Sequence, residues 1–150
     1  MKSPTVSVVL PAYNAEAFVA EAVESVRAQT YDDYELLAVN DGSTDRTGEI
    51  LDELAAGFPA MRVIHQANTG LAGARNAAIA TMQGQYIALL DADDVWLPEK
   101  LARCVAFLDE NPDLSIVYTP MDPFDGKTGK RMEGHSKPCH AGWLTEKLFL

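Results

Sequence analysis

Three aspartates follow an apolar run of strand length. The run covers residues 86–90, and Asp91, Asp93 and Asp94 come directly after it. Because side chains alternate along a strand, we predict that Asp91 and Asp93 point to one side and Ala92 to the other. Two carboxylates so close together repel each other and need a neutralising charge. A hard divalent cation can supply this charge through oxygen ligands, and its open coordination positions can also hold a diphosphate.

An isolated Asp-x-Asp pattern has a simpler interpretation, which is a solvated acidic loop. The run before it has five apolar or aromatic residues and no turn former. It predicts a buried strand of the kind found in parallel sheets. A pair of carboxylates at the end of such a strand favours a metal site over a solvated loop.

Strand-like runs alternate with amphipathic helical patterns over most of the chain. Such alternation predicts an α/β fold with a parallel sheet and right-handed crossovers. Pro11 is predicted to end the first strand, and Asn14 is predicted as the N-cap of the first helix. Ligands bind where the strands of such a sheet end, so the polar segments after the first four strands should converge. The predicted strands cover residues 5–10, 35–40, 61–65, 86–90 and 114–119, and the polar segments cover residues 11–14, 40–43, 66–68 and 91–93.

The composition is ordinary for a soluble globular protein and argues against several functions. The chain has 150 residues, 47% of them hydrophobic and 23% charged, with a net charge of -10. This acidic balance argues against a nucleic-acid-binding surface, which would be basic. No apolar run approaches the ~20 residues of a membrane span, and no long apolar signal segment precedes the first strand. Cys104 and Cys139 lack metal-site spacing, so we predict a cytoplasmic protein with Cys104 as a small core residue.

Other residues with reactive or bulky side chains carry weaker signals. Trp96 follows the acidic cluster, and we favour a role as anchor of the fourth helix over a contact with a sugar. His135, Cys139 and His140 could be read as metal ligands, but so few ligands within one loop favour exposed loop residues. No Gly-x-Gly-x-x-Gly motif follows the first strand, which argues against a dinucleotide-binding fold of the usual kind.

Four motifs, taken in order, resemble the nucleotide-sugar domain of inverting glycosyltransferases of family 2. They lie at residues 6–14, 40–45, 73–76 and 90–94, and the resemblance covers roughly residues 4–120. It implies the A-type fold of that family, an α/β domain with a mainly parallel Rossmann-like sheet and helices on both faces. On this basis residues 1–120 form the donor half, and residues 121–150 form the start of a truncated acceptor-side region.

The resemblance implies a role for each residue of the acidic motif. Asp91 and Asp93 match the metal and diphosphate motif, with Mn²⁺ or Mg²⁺ as the cofactor. Asp93 resembles the direct metal ligand, whereas Asp91 lies nearer the ribose and diphosphate, and Ala92 joins the substrate-binding residues. Asp41 matches the carboxylate that accepts a hydrogen bond from the uracil imide. An Asx turn before the second helix is the alternative for Asp41, and both roles can hold together.

The remaining motifs imply a nucleotide pocket. Arg75 matches an arginine near the base and diphosphate, with a surface charge on the third helix as its alternative. Gly70 would permit close approach of the backbone to the ligand, or would merely start that helix. Glu16 belongs to the same motif as the base-lining loop, although stabilisation of the first helix dipole is an alternative. The loop that should line the base consists of Pro11, Ala12 and Tyr13.

The implied reaction transfers a sugar from a nucleoside diphosphate sugar, with UDP as the expected nucleotide, to an acceptor hydroxyl with inversion. The acceptor stays open between a saccharide, a lipid and a protein. The general base of the family lies well downstream of the acidic motif, so we expect it beyond Leu150. The alternatives are a nucleotide-sugar-binding fragment without turnover and a sugar-phosphate nucleotidyltransferase, whose glycine-rich basic first loop is absent here. Apolar residues 148–150 would lack packing partners, which favours self-association, for example as a homodimer.

Overall fold

A parallel sheet is the central element of the fold. The structure is a computed structural model and describes residues 3–125 and 128. Within these residues the strands are β1 (Val6–Ala12), β2 (Tyr34–Asp41), β3 (Met61–Gln66) and β4 (Tyr86–Leu89). They lie in the order β3-β2-β1-β4, and every neighbouring pair is parallel. β1 is buried along its whole length, as its valine-rich sequence predicts.

Helices cover both faces of this sheet. They are α1 (Val19–Arg27), α2 (Thr47–Ala56), α3 (Gly70–Ile79) and α4 (Lys100–Glu110). On one face, Val23 of α1, Leu51 of α2 and Leu101 of α4 are buried in the main core. On the other face, Ala74 and Ala78 of α3 pack against β1 and β2. The predicted α/β class, with a parallel sheet and helices on both faces, is confirmed.

Pro11 lies inside β1, so the prediction that it ends the strand is wrong. It is in register with Val39 of β2, although a proline has no N–H to donate to a ladder. Val9 turns its carbonyl towards β4, where it accepts from the Leu90 N–H at 3.0 Å. Because backbone groups alternate along a strand, position 11 faces the same side as Val9. The last residue pair between β1 and β4 is Val9 with Leu89, so the missing N–H breaks no hydrogen bond.

Three other features differ from the sequence predictions. Asn14 is not an N-cap, because its backbone is left-handed with φ 49° and α1 begins only at Val19. The strand predicted over residues 114–119 does not form, because those residues have no regular secondary structure. β4 is not fully buried, since it lies at the edge of the described sheet and Leu89 is 50% exposed. Among the described elements, α3 packs mainly over β1 and β2 and gives β4 less cover on that face.

The chain divides into two compact units, Met1–Val105 and Ala106–Leu150. The sheet and the loops at its carboxyl edge belong to the first unit. The predicted boundary at residue 120 stays a prediction, and most of residues 121–150, including 148–150, lie outside the described residues. No helix in the described part of the chain combines the length and apolar character needed to cross a membrane.

Candidate functional site

A cavity of about 300 Å³ lies at the carboxyl edge of the sheet. The ends of β1 and β2, the loop between β3 and α3, and the first turns of α3 form its walls. The lining residues that the sequence analysis predicted for the site are Pro11, Ala12, Tyr13, Asp41 and Gly70. The lining is completed by Asn68, Leu71 and Ala74, which were not among the predicted site residues. Asn68 belongs to a polar segment that was expected at this edge, whereas Leu71 and Ala74 look like ordinary apolar helix residues.

The cavity offers a ligand both apolar and charged surface. Tyr13 and Leu71 are each 54% exposed, so an aromatic and an aliphatic side chain are available to a bound molecule. Asp41 is buried, at 2% exposure, and is the charged residue of the lining. A flat ring with one polar edge would match such a surface, because its faces need apolar contacts and its edge needs a hydrogen-bond partner.

Asp41 is held by hydrogen bonds that converge on one of its oxygens. Oδ1 accepts from Gln66 Nε2 at 2.7 Å, from the Thr69 N–H at 2.9 Å and from the Thr69 hydroxyl at 3.2 Å. Burial by itself would raise the pKa of Asp41, but the hydrogen bonds from Gln66, Thr69 and Gly70 outweigh it and hold that pKa below its usual value. The carboxylate is therefore ionised and fixed, and Oδ2 keeps accepting capacity for a ligand.

The turn after β2 is stabilised by the residue before Asp41. Asn40 Oδ1 accepts from the Ser43 N–H at 3.1 Å, whereas the hydrogen bonds of Asp41 run to the loop before α3. Asn40 thus stabilises this turn, which was the alternative role for Asp41. Because Asn40 and not Asp41 stabilises the turn, the Asp41 carboxylate is left at the cavity.

Two glycines shape the backbone beside Asp41. Gly70 has φ +78°, and no atom lies within 4 Å of the position that a Cβ would take. Glycine is therefore required by the left-handed backbone and not by a lack of space. Gly42 has φ +70°, and a Cβ there would lie 2.6 Å from the Asn68 nitrogen, so two loops pack closely at this point. Gly70 is the first residue of α3, which is one of the two roles predicted for it. The other role, close approach of its backbone to a ligand, stays a prediction.

Asn14 ties the loop after β1 to the loop after β2. Its Oδ1 accepts from the Thr44 N–H at 2.8 Å, and its own N–H donates to Ser43 Oγ at 3.1 Å. The left-handed backbone of Asn14 allows both bonds, because asparagine tolerates this conformation better than most residues. Tyr13 lies next to Asn14, so the same contacts fix the loop that carries Tyr13 at the cavity.

Glu16 contacts the start of α2, and its stabilisation of the α1 dipole stays a prediction. Its carboxylate accepts from the Arg46 N–H at 3.0 Å, and its own N–H donates to Asp45 Oδ2 at 3.1 Å. Burial would raise the pKa of Asp45, but hydrogen bonds from Thr47 and from the Glu16 N–H keep that pKa below its usual value. A contact between Glu16 and a nucleotide stays a prediction, and the described contacts give Glu16 a role in positioning the loops.

The acidic motif follows β4 as a turn and not as a continuation of the strand. β4 ends at Leu89, and the Asp94 N–H donates to the Asp91 carbonyl at 3.0 Å. Asp91 and Asp93 are exposed, whereas Ala92 is 9% exposed and packs in the core. The exposed and buried residues alternate as predicted, but a turn produces this alternation.

The charges of the motif suit a cation with oxygen ligands. Burial raises the pKa of Asp94 above its usual value, the charges of Asp93 and Asp91 raise it further, and Lys100 opposes them. Exposed carboxylates are hard ligands of the kind that Mn²⁺ and Mg²⁺ accept. In the described part of the chain, no group of three or more histidine, cysteine, aspartate or glutamate residues could hold a metal. A cation at Asp91 and Asp93 therefore needs further oxygen ligands from a bound molecule or from solvent.

Arg75 reaches from α3 to the acidic motif. Its Nη2 donates to Asp91 Oδ1 at 2.7 Å, and the two side chains are 29% and 50% exposed. Arg75 Nε is buried and has no hydrogen-bond partner among the described residues. An unpaired buried donor is costly, so this guanidinium has capacity for an incoming acceptor. Arg75 is therefore more than a surface charge on α3, which was its alternative role.

Trp96 is a core residue. It is 8% exposed, and the Lys100 ammonium of α4 lies 5.0 Å from its ring centre. Its predicted role as the anchor of the fourth helix is confirmed. His135, Cys139 and His140 lie outside the described residues, so their place in an exposed loop stays a prediction.

Comparison with known proteins supports the same interpretation. A model described as glycosyl transferase family 2 matches residues 7–148. The uncharacterized glycosyltransferase EpsJ of Bacillus subtilis is 47% identical over 114 residues, which are 76% of this chain and 33% of EpsJ. The structure of S. aureus TarS in complex with UDP-GlcNAc has a TM-score of 0.68 and 29% identity, over 72% of this chain and 32% of the TarS chain. The mannosyltransferase PcManGT from Pyrobaculum calidifontis, in complex with GDP-Man and Mn²⁺, has a TM-score of 0.66 and 27% identity, over 72% of this chain and 33% of PcManGT.

These similarities cover most of the chain but only part of its relatives. The chain spans about a third of the length of EpsJ, of the solved chain of TarS residues 1–349 and of the solved PcManGT chain. Its parallel sheet with helices on both faces is the A-type fold of the solved structures, so the predicted fold is confirmed. The family match also includes the last three motifs in full and residues 7–14 of the first. The chain belongs to glycosyl transferase family 2, a family of enzymes.

Proposed function

We propose that this chain is the donor-binding part of an inverting glycosyltransferase. The donor is a UDP-sugar held with a divalent metal, and the sugar passes to an acceptor hydroxyl. The observation that carries the proposal is the burial of ionised Asp41 in a cavity at the same sheet edge as Arg75, Asp91 and Asp93. A uracil base needs an acceptor for its imide N–H, and a diphosphate needs positive charge. The two ends of UDP thus match the two chemically different parts of this edge.

The choice of uracil rests on Asp41. An ionised carboxylate only accepts hydrogen bonds, and uracil presents an N–H at N3 where cytosine presents an acceptor. Tyr13 and Leu71 would contact the faces of the base. Structures of TarS with UDP and with UDP-GlcNAc support a uridine nucleotide. The complex of PcManGT contains GDP-Man, so family membership does not determine the nucleotide. Guanine also presents N–H groups to a carboxylate, so Asp41 supports uracil over cytosine, and the choice of uracil over guanine rests on the TarS complexes.

The acidic motif and Arg75 would receive the diphosphate. Asp93 would be the direct ligand of Mn²⁺ or Mg²⁺, with Asp91 beside it, and Arg75 would donate hydrogen bonds to the diphosphate oxygens. The bound cation would supply charge stabilisation for the departing diphosphate. Ala92 would keep both carboxylates turned outwards, because its side chain is packed in the core. The complex of PcManGT with Mn²⁺ supports a metal in this role.

Turnover needs more than a donor site. A general base must lie within hydrogen-bond reach of the acceptor hydroxyl, and the acceptor must be held in line with the departing group. The carboxylates that we describe at this edge are already assigned to the uracil base and to the metal, so none of them is assigned as the general base. Because the chain spans about a third of EpsJ and of the solved TarS chain, we propose that other parts of a longer protein supply the acceptor site and the general base. The 150-residue chain alone should bind UDP and transfer little sugar.

Isothermal titration tests the donor site. UDP should bind more tightly with Mn²⁺ or Mg²⁺ than with a chelator, and more tightly than CDP, ADP or GDP under the same conditions. Equal affinity for UDP with metal and with chelator would refute the role of the metal in UDP binding. Equal affinity for all four nucleotides would refute the role of Asp41 in base recognition. A transfer assay with a panel of UDP-sugars and acceptors separates a binding module from an enzyme. Robust metal-dependent transfer by the chain alone would place the base within it.

Other parts of the proposal rest on the sequence. The family match gives no support to the alternative of a sugar-phosphate nucleotidyltransferase. The class of acceptor, the homodimer and the cytoplasmic location stay predictions. Light scattering of the purified chain measures whether it self-associates.

A further inference from the structure

An ion pair joins the two groups that a metal and a diphosphate would each need. Arg75 Nη2 lies 2.7 Å from Asp91 Oδ1. While this contact exists, one carboxylate oxygen of Asp91 and one donor of the guanidinium are already engaged with each other. A cation at Asp91 and a diphosphate at Arg75 would each compete with this ion pair.

We propose that Arg75 acts as an internal counter-ion for Asp91 and makes metal binding conditional on the diphosphate. Mn²⁺ binds weakly to the chain alone, because it must enter beside a guanidinium that already neutralises Asp91. A bound diphosphate draws Arg75 to its own oxygens and leaves Asp91 to the metal. This inference rests on the proposed function and concerns the coupling between the two ligands of the site.

Three observations support partner exchange. Arg75 Nε is buried without a hydrogen-bond partner among the described residues, so the guanidinium gains a bond when an acceptor arrives. Asp91 is half exposed, so a cation can reach it once Arg75 leaves. The described residues hold no preformed group of three metal-ligating side chains, so a bound diphosphate would add oxygen ligands that the protein does not supply.

The coupling has a measurable consequence. UDP and Mn²⁺ must raise each other's affinity by the same factor, because coupling between two binding equilibria is reciprocal. Part of that factor is the release of Asp91 from Arg75. Removal of the guanidinium charge should therefore raise the affinity of the chain alone for Mn²⁺ and reduce the coupling factor. A variant that was only damaged would not gain affinity for a metal.

The test measures Mn²⁺ binding without nucleotide, from the electron paramagnetic resonance signal of unbound Mn²⁺. Arg75→Met should bind Mn²⁺ roughly two- to fivefold more tightly than the wild type, within the range expected for a partly exposed ion pair. Arg75→Lys should stay close to the wild type, because an ammonium keeps the repulsion. Arg46→Met is the matched control, since it removes an arginine whose exposed ion pair with Glu49 lies on α2, and it should leave Mn²⁺ affinity unchanged.

The outcomes distinguish this inference from the proposed function. If Arg75→Met keeps the wild-type circular dichroism spectrum and binds Mn²⁺ no more tightly, the inference is overturned while UDP binding by the wild type still stands. An equal gain in Arg46→Met would assign the effect to net charge and would also overturn it. If the wild type binds no UDP with any metal, the proposed function fails and the inference fails with it. Arg75→Gln repeats the test if the methionine variant does not fold, because glutamine removes the charge and keeps a donor.

Discussion

Asp41→Asn should change which pyrimidine nucleotide the chain prefers. Three hydrogen bonds from Gln66 and Thr69 end on Asp41 Oδ1. An asparagine keeps these bonds only if its amide oxygen takes the place of Oδ1. Its NH₂ group then stands at the place of Oδ2, and the group that faces a bound base turns from an acceptor into a donor.

The size of the effect follows from the lost hydrogen bond. A hydrogen bond to a charged group contributes roughly 1.5–3 kcal/mol, so UDP affinity should fall by about 10- to 150-fold. The uracil N–H would also meet a donor in the variant, which favours the upper part of this range. Cytosine has an acceptor at N3, so CDP should bind the variant more tightly than it binds the wild type. The ratio of UDP affinity to CDP affinity should therefore fall by a larger factor than UDP affinity itself.

Titration of UDP and CDP into both proteins, with Mn²⁺ present, measures this ratio. Asp52→Asn is the matched control, because Asp52 pairs with His65 and its side chain is 61% exposed. The control should leave both affinities unchanged. An equal loss for UDP and CDP in Asp41→Asn would mean that Asp41 only supports the loop before α3. Unchanged UDP binding would refute its role in base recognition altogether.

Three other predictions concern the metal and the stability of the fold. Asp93→Ala should remove most of the gain in UDP affinity that Mn²⁺ provides, and titration with metal and with chelator measures that gain. Burial would raise the pKa of Glu35, but hydrogen bonds from the Ser7 hydroxyl, a backbone N–H and an arginine hold it below its usual value of 4.5. The stability from a lowered carboxyl pKa is present above that value and lost as the pH falls, so Glu35→Gln should cost about 1–3 kcal/mol near pH 7 and less in acid, as measured by urea unfolding. Gly84→Ala should lower the free energy of unfolding by about 1–3 kcal/mol, because its Cβ would meet backbone atoms. That Cβ would lie 2.5 Å from the Ser7 nitrogen. Gly57→Ala is the control, because a Cβ at residue 57 has no atom within 4 Å and should leave the free energy of unfolding nearly unchanged.

Local sequence was sufficient for most of the secondary structure. The valine-rich β1 and the alternation of strands with helices predicted the parallel sheet, its helical layers and the edge where the polar segments meet. Errors arose where a strand depends on a neighbour. Residues 114–119 have the composition of a strand, but a strand forms only when another backbone pairs with it. β1 continues through Pro11 because it still pairs with β2 there, and the missing N–H costs no bond because the pairing with β4 has already ended. No local sequence pattern contains this information.

The sequence by itself determined the chemical groups of the site, namely Asp41, the acidic motif and Arg75, and through the motifs it determined the family. Only the tertiary structure decided which groups are partners. Glu16 contacts the start of α2 across 30 residues, and Arg75 contacts Asp91 across 16 residues. Such partners depend on the register of parallel strands and on the path of the loops between them. A side chain's type specifies the bonds it can make, and the fold specifies which atom comes within 3 Å to make them.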